Sequence, residues 1–343
     1  MSTRTEILEG PEVIERLLAS AAGPVAAIAT AMRERDIRLV LIAARGTSDH
    51  ASIYAQYVLG SRNRLPVALT APSLASLYGT TPQLRDALVI GISQSGRSPD
   101  VVAVLADARR QGALTVGVTN EPDSELAGAV EHLVELRTGP ELGVAATKTY
   151  LASVAVIAML SAALGDDPAD AAALRAIPAA LAAALEQERL VADLALARAD
   201  DERCAVLARG FQYATAREWA LKVKELAYVL ADPYSAADFQ HGPIALVEPD
   251  YPVLAVATAG PAMPEMLGLL ERLAAARARI LVVSDVPEAL GFGEAIPLAA
   301  GTPEWLAPLV AIVPGQLYAW HLARARGLDP EHPRNLSKVT LTH

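Results

Sequence analysis

Short aliphatic runs alternate along the chain with segments of helical periodicity. The runs at 38–43 (RLVLIA), 87–92 (ALVIGI) and 114–119 (LTVGVT) are almost continuously apolar, the pattern of strands buried on both faces of a parallel sheet. Between them, 49–59 and 99–111 have helical spacing. In the second of these, Val102, Leu105 and Ala106 form an apolar stripe, while Asp107, Arg110 and Gln111 fall on a polar face. This β-α-β-α order predicts an α/β fold with a doubly wound parallel sheet flanked by helices.

The second half of the chain repeats the first. Ala44-Arg45-Gly46 returns as Ala208-Arg209-Gly210, and LVIGISQSG at 88–96 is matched by PVLAVATAG at 252–260, both at an offset of 164 residues. TVGVTN at 115–120 is matched by ILVVSD at 280–285, shifted by one residue more. Three strand-plus-turn units in one register predict two similar domains in tandem, not a solenoid of short repeats. The expected division is an N-terminal helical segment at 1–26, a first domain at 27–167, an Ala-rich helical connection at 168–194, a second domain at 195–328 and a C-terminal tail at 329–343.

The two copies differ in their loops. After the strand at 87–92 the first copy runs Ser93-Gln94-Ser95-Gly96-Arg97-Ser98-Pro99, whereas the second has Thr258-Ala259-Gly260-Pro261. Ser98 suits an N-cap and Pro99 the first helical position. The first loop therefore gathers three hydroxyls and several N–H groups at a helix N-terminus, where partial positive charge favours an anion. Gly46-Thr47-Ser48 adds a second hydroxyl turn on the same sheet edge, the edge where ligands sit in such folds. An ordinary strand-to-helix loop also uses Ser and Gly, but two such turns at one edge favour a phosphate site. The second copy is expected to serve as scaffold and to contribute residues from elsewhere. Neither G-x-x-x-x-G-K-[ST] nor G-x-G-x-x-G occurs, so neither a nucleoside triphosphate nor a dinucleotide is indicated.

Composition narrows the choice further. A net charge of −10 argues against nucleic acid, whose binding surfaces are basic, yet leaves room for a local anion site. Cys204 is the only cysteine, and the six histidines (His50, His132, His241, His321, His332, His343) show no metal-ligand spacing. No disulfide, metal or other cofactor is expected. Residues 1–10 lack the apolar stretch of a signal peptide. The longest apolar runs, 154–164 and 305–320, are too short or too interrupted by proline to span a bilayer, which takes roughly 20 residues. A soluble, cytoplasmic protein without membrane contact is expected.

Five segments together resemble a double SIS (sugar isomerase) protein: ARGTS (44–48), SQSGRSPD (93–100), ELGVAATKT (141–149), LKVKE…HGP (221–243) and PRNLSK (333–338). The chain is similar, over nearly its whole length, to the isomerase half of glucosamine-6-phosphate synthase and to stand-alone glucosamine-6-phosphate deaminases and isomerases. The resemblance implies two tandem SIS domains. It implies that Ser93, Gln94, Ser95 and Ser98 bind the phosphate with help from Thr47, and that Ser48 and the backbone of Val144 and Ala145 line the sugar. By the same resemblance Glu225 is the acid/base that moves a proton between C1 and C2, with Lys222 beside it. His241 is then the ring-opening residue, supplied across a homodimer interface, and Lys338 is the C-terminal lysine that can form an imine with a ketose. Arg45 departs from the synthase pattern, which has a small residue there, and Ala146 replaces a serine. No glutaminase-like stretch precedes the first motif, so glutamine is not the expected ammonia source.

The residues can also be read without the family. On a helix expected over 216–230, Trp219, Val223, Leu226 and Leu230 form the core stripe, with Glu218, Lys222 and Glu225 in the adjoining row. Taken alone, that row reads as an intrahelical salt-bridge ladder. A glutamate at the edge of a core is also where desolvation can make a carboxylate a useful base. Taken alone, His241 before Gly-Pro reads as a turn residue, and Lys338 as a solvated charge. The leading expectation is an amino-sugar-6-phosphate isomerase/deaminase that turns glucosamine 6-phosphate into fructose 6-phosphate and ammonia. A dehydratase (lyase) on an amino- or N-acetylamino-sugar phosphate using the same base, a fructosamine-phosphate deglycase and a non-catalytic sugar-phosphate sensor are the alternatives. A sensor acting on transcription would carry a helix-turn-helix, and 1–20 is too short and too acidic for one.

Overall fold

The structure, a computed structural model, describes residues 2–165 and 167–338. The first residue of the expected N-terminal segment and the end of the expected tail, 339–343, lie outside the described residues. Among the described residues ten strands form two five-stranded sheets. The first holds β1 (Leu39–Ala43), β2 (Val67–Leu69), β3 (Ala87–Ile92), β4 (Leu114–Thr119) and β5 (His132–Glu135) in the order β2-β1-β3-β4-β5. The second holds β6 (Arg203–Ala208), β7 (Leu230–Ser235), β8 (Pro252–Val256), β9 (Arg279–Ser284) and β10 (Glu294–Pro297) in the order β10-β9-β8-β6-β7. Every pairing is parallel. Read from its other end, the second order is the first with each strand replaced by its sequence repeat. Both are the 2-1-3-4-5 winding of doubly wound sheets, which reverses direction between the first and third strands.

Contacts divide the chain into two compact units. The first-sheet unit comprises Glu12–Glu141, Lys148–Arg175 and Leu336–His343; the second-sheet unit comprises Met1–Pro11, Leu142–Thr147 and Ala176–Asn335. In the first, Leu41, Ala43 and Val89 of the sheet pack against Val101, Val104 and Leu105 of the helix Pro99–Arg110. In the second, Leu207, Val253 and Val282 meet Met266, Leu269, Leu270 and Leu273 of the helix Met263–Ala275. Each such Val, Leu or Met side chain contributes about 1.5–3 kcal/mol by leaving water, so the aliphatic runs read from the sequence are the core.

The duplication extends to an ion pair. Arg45 Nε lies 2.7 Å from Asp100 Oδ2, and Arg209 Nε lies 2.8 Å from Glu265 Oε2. Arg45 and Arg209 follow the first strand of each sheet, and the acids sit in the first turn of the helix after the third strand. Each pair therefore ties the two loops at the winding reversal together. This gives Arg45, a departure from the synthase pattern, a structural reason.

Two expectations need correction. The helix expected over 216–230 runs Gln212–Ala227; Tyr228 turns left-handed at φ 58° and ends it. Leu230 is then no core-stripe residue: it opens β7, pairs with Arg203 and is 69% exposed. Pairing with β6 captured a residue that helical spacing alone placed in the core. The segment 168–194, expected to be helical, is so, as the helix Pro168–Leu185 and most of the helix Glu188–Ala197. The other correction concerns the membrane: among the described residues two helices are long and apolar enough to cross a bilayer by length and composition, Lys148–Gly165 and Pro168–Leu185, each of 18 residues. The first is 78% buried inside the fold, which accounts for its apolarity. The second, 28% buried, is Ala-rich, and its Asp170 is buried against Arg62.

Candidate active site

The loop after β3 lies at the winding reversal of the first sheet, beside the turn after β1. Its backbone is fixed from below: Ser93 N–H donates to Val118 O at 3.1 Å, and Gln94 O accepts Asn120 N–H and Thr119 Oγ1, each at 3.1 Å. Gly96 has φ +61° and donates its N–H to Ser93 O at 3.2 Å. A Cβ at this position would lie 2.0 Å from Ser124 Oγ, so the turn admits only glycine. Ser98 occupies the N-cap position, as expected, but its hydroxyl makes no capping bond. Instead its Oγ faces Ser93 Oγ at 3.2 Å. Ser95 Oγ accepts Arg97 N–H at 3.4 Å. Ser93 is buried, and Gln94, Ser95 and Ser98 are half-buried. Two facing hydroxyls not consumed by capping, at a helix N-terminus, suit a phosphate. On the neighbouring turn, Gly46 (φ +53°) precedes Thr47 and Ser48, both half-buried in the first turn of the helix Thr47–Asn63.

The equivalent loop of the second sheet is filled by the chain's own carboxylates. Ala259 N–H donates to Asp285 Oδ1 at 2.8 Å, and the Glu304 side chain packs against Gly260. Burial raises the Glu304 carboxyl above its ordinary range. Thr258 Oγ1 is taken by Gln212 Nε2 at 3.0 Å.

Lys338, which the sequence alone reads as solvated charge, is half-buried in the first-sheet unit, with Nζ 2.9 Å from Glu141 Oε2. The Glu141 side chain is fully buried and also accepts Thr149 N–H at 3.1 Å and Thr149 Oγ1 at 2.8 Å. Sequence reasoning missed the part played by Glu141, although it opens the ELGVAATKT segment. The signal available was an acid beginning a motif of otherwise small and apolar residues. Val144 and Ala145 follow in the segment Leu142–Thr147 of the second-sheet unit, Ala145 buried and Val144 half-buried.

On the helix Gln212–Ala227 the row Glu218, Lys222, Glu225 is a formed ladder. Lys222 Nζ lies 3.4 Å from Glu218 Oε1 and 2.5 Å from Glu225 Oε2. It is no surface ladder: the side chains of Glu218 and Lys222 are 0% and 1% exposed, and only Glu225, at 22%, reaches solvent. Both sequence readings therefore meet in one arrangement, an ion-paired ladder whose outer carboxylate is open on one side. His241 is exposed at the C-cap of the helix Ala236–Gln240. Among the described residues its ring forms no hydrogen bond with Glu225 or Lys222. Among those residues, too, no group of three or more His, Cys, Asp or Glu side chains is arranged to hold a metal ion.

Known proteins share this sequence pattern and fold. The chain is 35% identical over 350 residues to a glutamine--fructose-6-phosphate aminotransferase [isomerizing] of Gloeobacter violaceus, covering 97% of this chain and 57% of that protein. It spans about half the length of the curated relatives it matches. A solved structure from Silicibacter pomeroyi DSS-3, provisionally named a phosphosugar isomerase, superposes with a TM-score of 0.87 at 37% identity, covering 96% of this chain and 99% of that one. The C-terminal domain of glucosamine-fructose-6-phosphate aminotransferase from Francisella tularensis gives 0.85 at 25% identity, with 96% of both chains covered. The SIS domain matches residues 35–163 and 197–290, one stretch on each sheet, and the chain belongs to the SIS domain family.

Proposed function

We propose that this chain is an amino-sugar-6-phosphate isomerase/deaminase, converting glucosamine 6-phosphate to fructose 6-phosphate and ammonia. The observation that carries the reading is the docking of Lys338 on the buried carboxylate of Glu141. A tail lysine held so firmly is costly to order unless it has work to do. In this reading Ser93, Gln94, Ser95, Ser98 and Thr47 hold the phosphate, and Ser48 with the backbone of Val144 and Ala145 lines the open-chain sugar. Glu225, oriented by Lys222, takes the C2 proton and returns it at C1. The resulting ketimine is hydrolysed by water, which releases ammonia and leaves the ketose. In this reading Lys338 is the amine that exchanges with that imine carbon. His241, exposed on the second-sheet unit, comes from the partner subunit of a homodimer and assists ring opening. The proposal includes a cytoplasmic location, no cofactor, and the domain limits 27–167 and 195–328 read from the sequence.

The test is turnover of purified protein with glucosamine 6-phosphate, N-acetylglucosamine 6-phosphate, and fructose 6-phosphate plus ammonia. Release of ammonia with formation of fructose 6-phosphate is the expected result. An ultraviolet-absorbing product without ammonia means a dehydratase, and binding without turnover of any of these sugars means a sensor.

A further inference from the structure

We infer that Glu6, in the short N-terminal helix Thr3–Leu8, is a positioning residue for the sugar: it clamps the backbone that leads into Val144 and Ala145. This inference rests on the functional reading above. Glu6 is 0% exposed. Its Oε1 accepts Leu142 N–H at 2.5 Å and Gly143 N–H at 3.2 Å, and its Oε2 also accepts Gly143 N–H at 3.2 Å. Burying a carboxylate is expensive unless several donors satisfy it, and here the donors are two consecutive peptide groups of one segment.

The approach is close. A Cβ at Gly143 would lie 2.7 Å from Thr3 Oγ1 and 2.8 Å from Glu6 Oε2. The far end of the same segment is held by Gln316, whose Nε2 donates to Thr147 O at 3.3 Å. Between the two anchors, neither Val144 nor Ala145 donates its backbone N–H to a partner among the described residues. Ala145 is buried and Val144 half-buried, and an unpaired N–H in such a place calls for an acceptor. The open-chain sugar supplies one in its hydroxyl and carbonyl oxygens.

The helix that bears Glu6 is itself pinned within the second-sheet unit. Arg4 makes a two-pronged pair with Glu188, Nε–Oε1 at 2.5 Å and Nη2–Oε2 at 2.8 Å, and His321 Nε2 lies 3.0 Å from the same Oε1. Thr3 donates its N–H and its hydroxyl to Glu331 Oε2 at 2.7 and 2.9 Å, while Glu331 Oε1 accepts Trp320 Nε1–H at 3.1 Å. Glu6 is thus a fixed point, and the two N–H groups it grips set the direction of the peptides that follow. A small misplacement of such peptides costs up to about 100-fold in rate.

The experiment compares wild type with Glu6→Gln in two measurements. Amide hydrogen exchange over 142–147 tests the clamp without reference to any ligand, and at least about tenfold faster exchange at Leu142 and Gly143 is expected from the loss of a charge-assisted pair. Affinity for glucosamine 6-phosphate relative to inorganic phosphate tests the consequence. The variant should keep its phosphate affinity and lose about 10- to 100-fold of the sugar's added affinity. Unchanged exchange overturns the clamp, and an unchanged sugar increment overturns the positioning role. If wild type itself binds the sugar no better than phosphate, the functional reading fails and the exchange result still decides the clamp. Should Glu6→Gln not fold, Gly143→Ala perturbs the same contact from the loop side, and the same readouts apply.

Discussion

Replacing Lys222 by methionine should strip the charge from the centre of the buried ladder while keeping its volume. At an effective dielectric of about 20, the 3.4 Å contact with Glu218 and the 2.5 Å contact with Glu225 correspond to gross attractions of about 5 and about 7 kcal/mol. Desolvation of the three ions cancels much of that, so the pairs add little net stability over an apolar core. Removing only the lysine is another matter. It takes from the Glu218 carboxylate, 0% exposed, its lysine partner, and removing one member of a buried pair costs about 3–5 kcal/mol. With a urea slope of about 1–3 kcal/mol/M, the midpoint should fall by one to several molar. The chain provides its own probe, because all three tryptophans, Trp219, Trp305 and Trp320, lie in the second-sheet unit with the ladder. Tryptophan fluorescence during urea unfolding therefore reports on the unit that contains the perturbation. Adding Glu218→Gln to Lys222→Met should restore at least half of the loss, since the amide needs no counter-charge. A loss below about 1 kcal/mol for Lys222→Met, the range of an exposed pair, or no recovery in the double variant, would refute this account of the ladder.

The remaining predictions bear on the site and its duplicate. Glu225→Gln should bind glucosamine 6-phosphate as wild type does while kcat falls by about 10²–10⁴, the range for a general base; full turnover would remove Glu225 from that role. Replacing Ser93 and Ser95 by Ala together should weaken inorganic phosphate binding by at least about 1.5–3 kcal/mol in calorimetry, the loss for one hydrogen bond to a charged group; unchanged affinity would put the phosphate elsewhere. Glu304→Gln should be more thermally stable than wild type at neutral pH. Burial raises the Glu304 carboxyl in the folded state above its ordinary value of 4.5, so ionising it there costs stability that the unfolded chain does not lose. The advantage should therefore shrink as pH falls through the raised value and vanish below about pH 4, where both states are protonated; a difference that ignores pH would contradict the assignment.

The sequence by itself determined the winding of this protein. Strands buried on both faces must be almost wholly apolar, so β1, β3 and β4 could be read as RLVLIA, ALVIGI and LTVGVT to within a residue, and the 164-residue offset announced a second sheet of the same order. The glycine and the hydroxyls at 93–98 were likewise legible as residue types, but the turn they make is held by Val118, Thr119 and Asn120 of the neighbouring strand end. Spacing failed where a long-range pairing competed with it: Leu230 continues the periodicity of a helix, and only the presence of β6 beside it makes it a strand. The burial of the ladder was likewise invisible, since the row Glu218, Lys222, Glu225 has the same spacing on a wet face as on a dry one.

Contacts across long stretches of chain were decided by tertiary structure alone. Lys338 lies 197 residues from Glu141, and Glu6 lies 136 from Leu142. No periodicity or motif spacing encodes such partners, because they are set by where packed sheets and helices bring distant backbone together. The sequence specified which groups could hold a phosphate; the fold decided which carboxylates hold the lysine and the loop.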